Sequence, residues 1–166
     1  MRIGKRFKMK CTNIKTIDGN IPWLNEIKYL GIKIKSGFKF KASFNDTKSK
    51  FYIAFNSLYS KLGKILDPKV SLHLLNTIAT PILLYASEAL FLNKSEINSL
   101  NHSYCRALCK IFNVFKSDSL QYCMYMFGIK NLCEVYNIRK ENYVIKLKIS
   151  DIGLLTSLLN NYVMIV

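Results

Sequence analysis

Two-metal phosphoryl transfer needs clustered carboxylates, usually adjacent aspartates on a turn with another brought alongside. Here Asp18, Asp46, Asp67, Asp118 and Asp151 stand apart. Two of them already have local roles, because Asp18-Gly19 is a turn signal and Asp67 precedes Pro68 at a helix start. No GxxxxGK(S/T), GxSxG or HExxH string occurs. His102, Cys105 and Cys109 form H-x2-C-x3-C, which would need Cys123 or Cys133 as a fourth ligand to hold zinc. The same spacing is one face of a helix whose other face carries a core stripe, and we read it that way. The expectation is no catalytic residue, no metal site and no cofactor.

The chemistry that the residue types do favour is polyanion binding. Trp23 and Tyr29 are interleaved with Lys28, Lys33, Lys35, Lys39 and Lys41, which combines stacking surfaces with phosphate-binding charge. For any one of these lysines a solvated surface is the more ordinary explanation. The set is harder to dismiss, because the charge is local. Residues 1–64 carry a net charge of +12 and residues 65–166 only +3, within a total of +15 on 166 residues. Half the chain is hydrophobic and 13% aromatic, which excludes a disordered basic tail. The charge excess therefore lies on the surface of a chain able to bury a core.

Positioning these residues requires a small β element followed by helices. The first 36 residues read as strands, with a turn at Asp18-Gly19 and Pro22 at an edge or in a loop. From Glu26 to Lys35 the run EIKYLGIKIK alternates as one strand. Leu30, Ile32 and Ile34 take one face, and Tyr29, Gly31, Lys33 and Lys35 the other. Gly31 in a strand interior would mark close approach of another backbone.

After Phe40 the sequence reads as helical. Ser43 with Asp46 resembles a capping box, and Phe44, Phe51, Phe55, Leu58, Leu62 and Ile65 recur on one stripe. Lys50, Lys61 and Lys64 then project to the opposite side, with Lys48 near the edge of the stripe. Asp67 and Pro68 open a second helix, which Pro81 should end or kink near Thr80, before LLYASEALFL. A third helix starts at Asn93, with Glu96 at its third position and a stripe of Ile97, Leu100, Tyr104, Leu108, Ile111 and Phe115. A short helix runs from about Ser117 to a glycine stop at Gly128, and the tail alternates apolar and basic residues to Lys148. The expected class is α+β, mostly α. Residues 1–38 form a β element, 39–128 a helical bundle and 129–166 a C-terminal helical extension.

The residues that carry this layout resemble the C-terminal part of reverse transcriptases of LINE-type, non-LTR retrotransposons, over about residues 1–127. MRIGKRF opens the match. WLNEIKYLG at 23–31 is similar to the primer-grip segment that follows the catalytic palm. The Lys-, Phe- and Tyr-rich part at 39–65 is similar to the first thumb helix, and PILLY at 81–85 with NKSEI at 93–97 to later thumb helices.

The resemblance implies a truncated fragment of an RNA-directed DNA polymerase. Its catalytic aspartates would lie upstream, so it would bind template–primer without catalysing extension. Gly31 would admit the primer backbone, Tyr29 and Trp23 would pack or stack beside Leu30, and the lysines from Lys28 to Lys64 would face phosphates. The implied partner is an RNA–DNA or DNA template–primer duplex, with a separate palm domain as a second partner and no small-molecule substrate.

A reading from another class starts from the apolar segment 70–92 and the YVMIV end, and makes the chain a small basic helical interaction or membrane-surface module. His73, Asn76, Glu88 and Pro81 argue against a membrane span in 70–92 and for a buried helix. The apolar end also fits a segment that docks, or a chain cut from a longer parent. Five cysteines, an odd count without paired spacing, fit a reducing compartment. The basic start lacks the apolar run of a signal peptide, so the expected location is intracellular, in nucleus or cytoplasm.

Overall fold

A computed structural model describes residues 1–9, 11–17, 19–62, 67–90, 92–149 and 153, with Leu62 as backbone alone. Asp18, Lys64, Ile65, Asp151 and the YVMIV end lie outside the described residues. The fold is α+β and mostly helical, with five strands preceding the helices. The chain divides into two compact units, Met1–Ser49 and Lys50–Val166.

In the amino-terminal unit, β1 (Ile14–Thr16) and β2 (Gly19–Ile21) form an antiparallel hairpin with Thr16 opposite Gly19. The Thr16 hydroxyl donates to the Gly19 carbonyl across the turn, at 2.6 Å. Pro22 follows β2 and costs the ladder nothing. The described residues before Ile14 are turns and loops apart from an isolated bridge between Ile3 and Gly37, so the expected strands do not continue through them.

The second sheet has the order β3 (Glu26–Tyr29), β4 (Ile32–Lys35) and β5 (Lys41–Ser43), antiparallel throughout. EIKYLGIKIK is thus two strands and a two-residue turn, not one strand. Leu30 (φ 45°) and Gly31 (φ 83°) both take positive φ, the sign pattern of a type I′ hairpin turn. The two-residue turn shifts the alternation by one, so Ile27 and Tyr29 before it share a face with Ile32 and Ile34 after it. Chain after Phe40 is also not wholly helical, since Lys41–Ser43 closes this sheet as β5.

Helix α1 (Asn45–Leu62) begins in the amino-terminal unit and continues into the second. Phe44, Phe51 and Phe55 of its expected stripe are buried, and Leu58 is half-buried. Ser43 ends β5, and the Asp46 carboxylate accepts an ion pair from Lys33 at 3.1 Å.

In the carboxy-terminal unit, α2 (Pro68–Leu74) opens as its sequence predicts: the Asp67 side chain accepts from the Lys69 amide at 2.9 Å, and Pro68 takes the first turn. Pro81 does not end the helix near Thr80. A π-helical segment, Leu75–Ala79, leads into α3 (Thr80–Leu83). Proline removes one intrahelical donor and crowds the carbonyl four residues back, and a widened turn relieves both. The Leu75 carbonyl accepts from the Thr80 amide and, at 3.0 Å, from the Thr80 hydroxyl. Leu72, Leu75, Ala79, Leu83 and Leu84 are buried, and among the described residues no helix is long and apolar enough to cross a membrane.

Helix α4 (Lys94–Phe112) carries a reciprocal capping box: Asn93 Oδ1 accepts from the Glu96 amide at 2.8 Å, and Glu96 Oε2 accepts from the Asn93 amide at 2.9 Å. Leu100, Tyr104 and Leu108 line its buried face, and α4 packs against α2, α5 (Ser117–Met126) and α6 (Leu132–Ile149). Phe115 leaves the expected stripe. Asn113 adopts a left-handed C-cap (φ 53°), which ends α4 and leaves Phe115 95% exposed. Helix α5 closes in a Schellman motif at Gly128 (φ 62°), with the Ile129 amide bonded to the Met124 carbonyl and the Gly128 amide to that of Tyr125.

Candidate nucleic-acid interface

The register of the three-stranded sheet decides which side chains can act together. Cross-strand partners share a face. Lys28 pairs with Lys33, Glu26 with Lys35, Lys35 with Lys41, and Lys33 with Ser43. One face therefore carries Lys28, Lys33, Lys35, Lys41 and Glu26. Ile27 pairs with Ile34 and Tyr29 with Ile32, so the other face carries Ile27, Tyr29, Ile32, Ile34 and Ala42.

This corrects the expected interleaving. In a single strand Tyr29 would share a face with Lys33 and Lys35; reversal at Leu30-Gly31 moves it to the apolar face beside Ile32. Leu30 is not a core residue of that face, because it sits in the turn and is 72% exposed. Gly31 is needed for the turn's positive φ rather than for close approach of another backbone to a strand interior. The sheet thus separates charge from aromatic surface, with Tyr29 and Leu30 meeting at the hairpin tip.

The basic face is partly neutralised from within. Lys33 Nζ lies 3.1 Å from Asp46 and 3.8 Å from Glu26, and Lys35 Nζ lies 3.7 Å from the other Glu26 oxygen. The hydrogen bond to Asp46, followed by its charge, raises the Lys33 pKa above the usual lysine value. Lys28 and Lys41 have no ion-pair partner among the described residues and are exposed, as is Lys39 in the β4–β5 loop. Four lysines against Glu26 and Asp46 leave the face positive, with its unpaired charge at Lys28 and Lys41.

Trp23 is tied down rather than offered for stacking on both sides. Its indole N–H donates to the Thr12 carbonyl at 3.0 Å, and the Arg2 guanidinium lies 4.8 Å from the ring centroid. Arg2 also donates to the Met9 carbonyl at 3.1 Å and contacts Cys11 Sγ, while its own carbonyl accepts from Ser36. Arg2 was hidden in sequence inside a run that reads only as basic. Glu26 and Asp46 were the more legible omission: with three acids among the first 64 residues, each acid is surrounded by lysines.

On the carboxy-terminal side of the unit boundary, Lys50 and Lys61 are both exposed on α1, eleven residues and therefore about three turns apart. Lys64 lies outside the described residues. His102 is exposed, whereas Cys105 and Cys109 are half-buried. Burial, then the neighbouring Cys109 and Cys133, pushes the Cys105 thiol up from its ordinary pKa. Among the described residues no three His, Cys, Asp or Glu side chains converge as a metal would need.

No protein-family model, curated protein or solved structure matches the chain.

Proposed function

We propose that the chain is the primer-grip and thumb portion of a retrotransposon reverse transcriptase and that it binds a template–primer duplex without polymerase chemistry of its own. The observation that carries this reading is the lysine face of the β3–β4–β5 sheet. Lys28 and Lys41 remain free to meet phosphates, while Lys33 and Lys35 are held in place by Glu26 and Asp46. The motif order WLNEIKYLG, PILLY, NKSEI supports the same reading, as does the succession of a small antiparallel sheet and a helical unit. Leu30, exposed at the hairpin tip, supplies apolar contact at the end of the lysine face, while Tyr29 lies on the opposite face.

The test is fluorescence anisotropy with an RNA–DNA hybrid over a salt series. Affinity falls steeply as salt rises, and Lys28→Gln with Lys41→Gln lowers the log–log salt slope by roughly 2, about one per lost phosphate contact. Salt-independent affinity, or no binding at low salt, would rule the reading out. Primer extension with magnesium and nucleotides yields no product if the reading holds.

A further inference from the structure

The carboxy-terminal unit contains a groove of about 830 Å³, within the size range of small-molecule sites. It is walled by α2 and the π segment, α4, the end of α5 and α6, and every residue that lines it belongs to this unit. Its lining is chemically one-sided. Lys69, His73, Lys130 and Arg139 contribute basic groups, and among the described residues no carboxylate lines it. None of those four side chains is in an ion pair among the described residues. A cation is therefore disfavoured there and an anion favoured.

The rest of the groove supplies what a bare anion would not use. Leu72, Phe127 and Val135 give an apolar wall. Asn76 and Tyr104 also line it, with the Tyr104 hydroxyl donating to Asn76 Oδ1 at 3.2 Å. That bond leaves the Asn76 amide hydrogens to donate and the Tyr104 oxygen to accept. Adjacent donor and acceptor over an apolar wall match the edge and face of a heterocyclic base, and the basic rim matches its phosphate.

We propose that this groove binds a nucleotide, with the phosphate held by Lys130, Arg139 and Lys69 and the base placed against Phe127 and Val135 beside Asn76 and Tyr104. The nucleotide is either free or the phosphorylated end of a strand. Binding here does not depend on duplex binding by the amino-terminal sheet.

The experiment is NMR titration of the full ¹⁵N-labelled chain with adenosine 5′-monophosphate, adenosine, inorganic phosphate and a 5′-phosphorylated thymidine tetramer. The expected result is saturable shifts at Phe127–Lys130 and Arg139 with the monophosphate and much weaker ones with adenosine. Lys130→Gln with Arg139→Gln weakens the monophosphate roughly tenfold or more, whereas Lys28→Gln with Lys41→Gln leaves it unchanged. Lys130→Gln alone, at an exposed position, provides the same reading with no risk to folding and weakens binding in the same direction. Stronger binding of the tetramer than of the monophosphate identifies a strand end; the reverse identifies a free nucleotide, and both uphold the site. No shifts up to about 5 mM monophosphate at low salt overturn the proposal. It is equally overturned if inorganic phosphate matches the monophosphate at equal concentration, or if the groove variants bind unchanged.

Discussion

Tyr104 sits at the centre of the carboxy-terminal unit, 2% exposed, and burial holds its phenol proton up to about pH 12 against an ordinary 10.0. The unfolded chain releases that proton first, so stability is fully present below pH 10 and falls as pH rises from about 10 to 12. The loss attributable to this residue is of order 2 kcal/mol. Urea melts of Tyr104→Phe should show a weaker decline in that window. At neutral pH the variant loses about 0.5–1.5 kcal/mol with the bond to Asn76. At the hairpin tip, Leu30 occupies positive φ, a conformation leucine tolerates poorly and asparagine tolerates well. Leu30→Asn is therefore expected to raise the melting temperature, by about 0.5–1 kcal/mol in stability. If Leu30 were a core side chain of a continuous strand, the same change would destabilise.

At the scale of elements, the reciprocal cap of α4 makes a sharper prediction than its buried stripe. Asn93→Ala costs about 1 kcal/mol in thermal or urea unfolding, whereas Asn93→Asp or Asn93→Ser keeps most of it. That helix start was legible because its signal is local: Asn93 and Glu96 satisfy one another's amides with no help from the rest of the chain. The Asp67-Pro68 start and the Gly128 stop were legible for the same reason. The turn at Leu30-Gly31 was not. Its leucine contradicts the usual asparagine or aspartate of a type I′ turn and masks the change of apolar phase from Ile27 and Tyr29 to Ile32 and Ile34, so the run passes for one strand until β3 pairs with β4. Pro81 was recognised as a disturbance, but the choice between a break and a π turn depends on burial of Ala79, Thr80 and Leu83, which is tertiary information.

For the whole molecule, the sequence located the charge correctly by region but not by face. A +12 segment could be assigned to residues 1–64, yet the distribution within it rests on register: paired lysines at 33 and 35, unpaired ones at 28 and 41, and Tyr29 turned away. Removing Lys33 is thus not equivalent to removing Lys28. Lys33→Gln strips the counter-charge from Asp46 and leaves Glu26 to Lys35 alone, so a carboxylate without its lysine joins the lysine face. Its effect on duplex affinity should exceed that of Lys28→Gln alone, measured by anisotropy at low salt, and should shrink as salt screens the exposed acids. The groove of the second unit leaves no local mark in the sequence, because its basic residues Lys69, Lys130 and Arg139 are spread over 71 positions in a region whose net charge is only +3.

The hairpin of β3 and β4 also has a mechanical meaning. β3 is bonded to β4 on one side and is an edge strand of the sheet. Near its start it is clamped by the Ser36–Asn25 backbone bond and by the grip of Lys33 and Lys35 on Glu26. Its far end projects as Tyr29 and Leu30, both largely exposed. Such a strand is a cantilever, stiff at the root and compliant at the tip. A curved surface pressing on the tip would deflect Leu30 most, Lys28 less and Glu26 least, so the hairpin can follow that curvature while the charge at its root keeps its place.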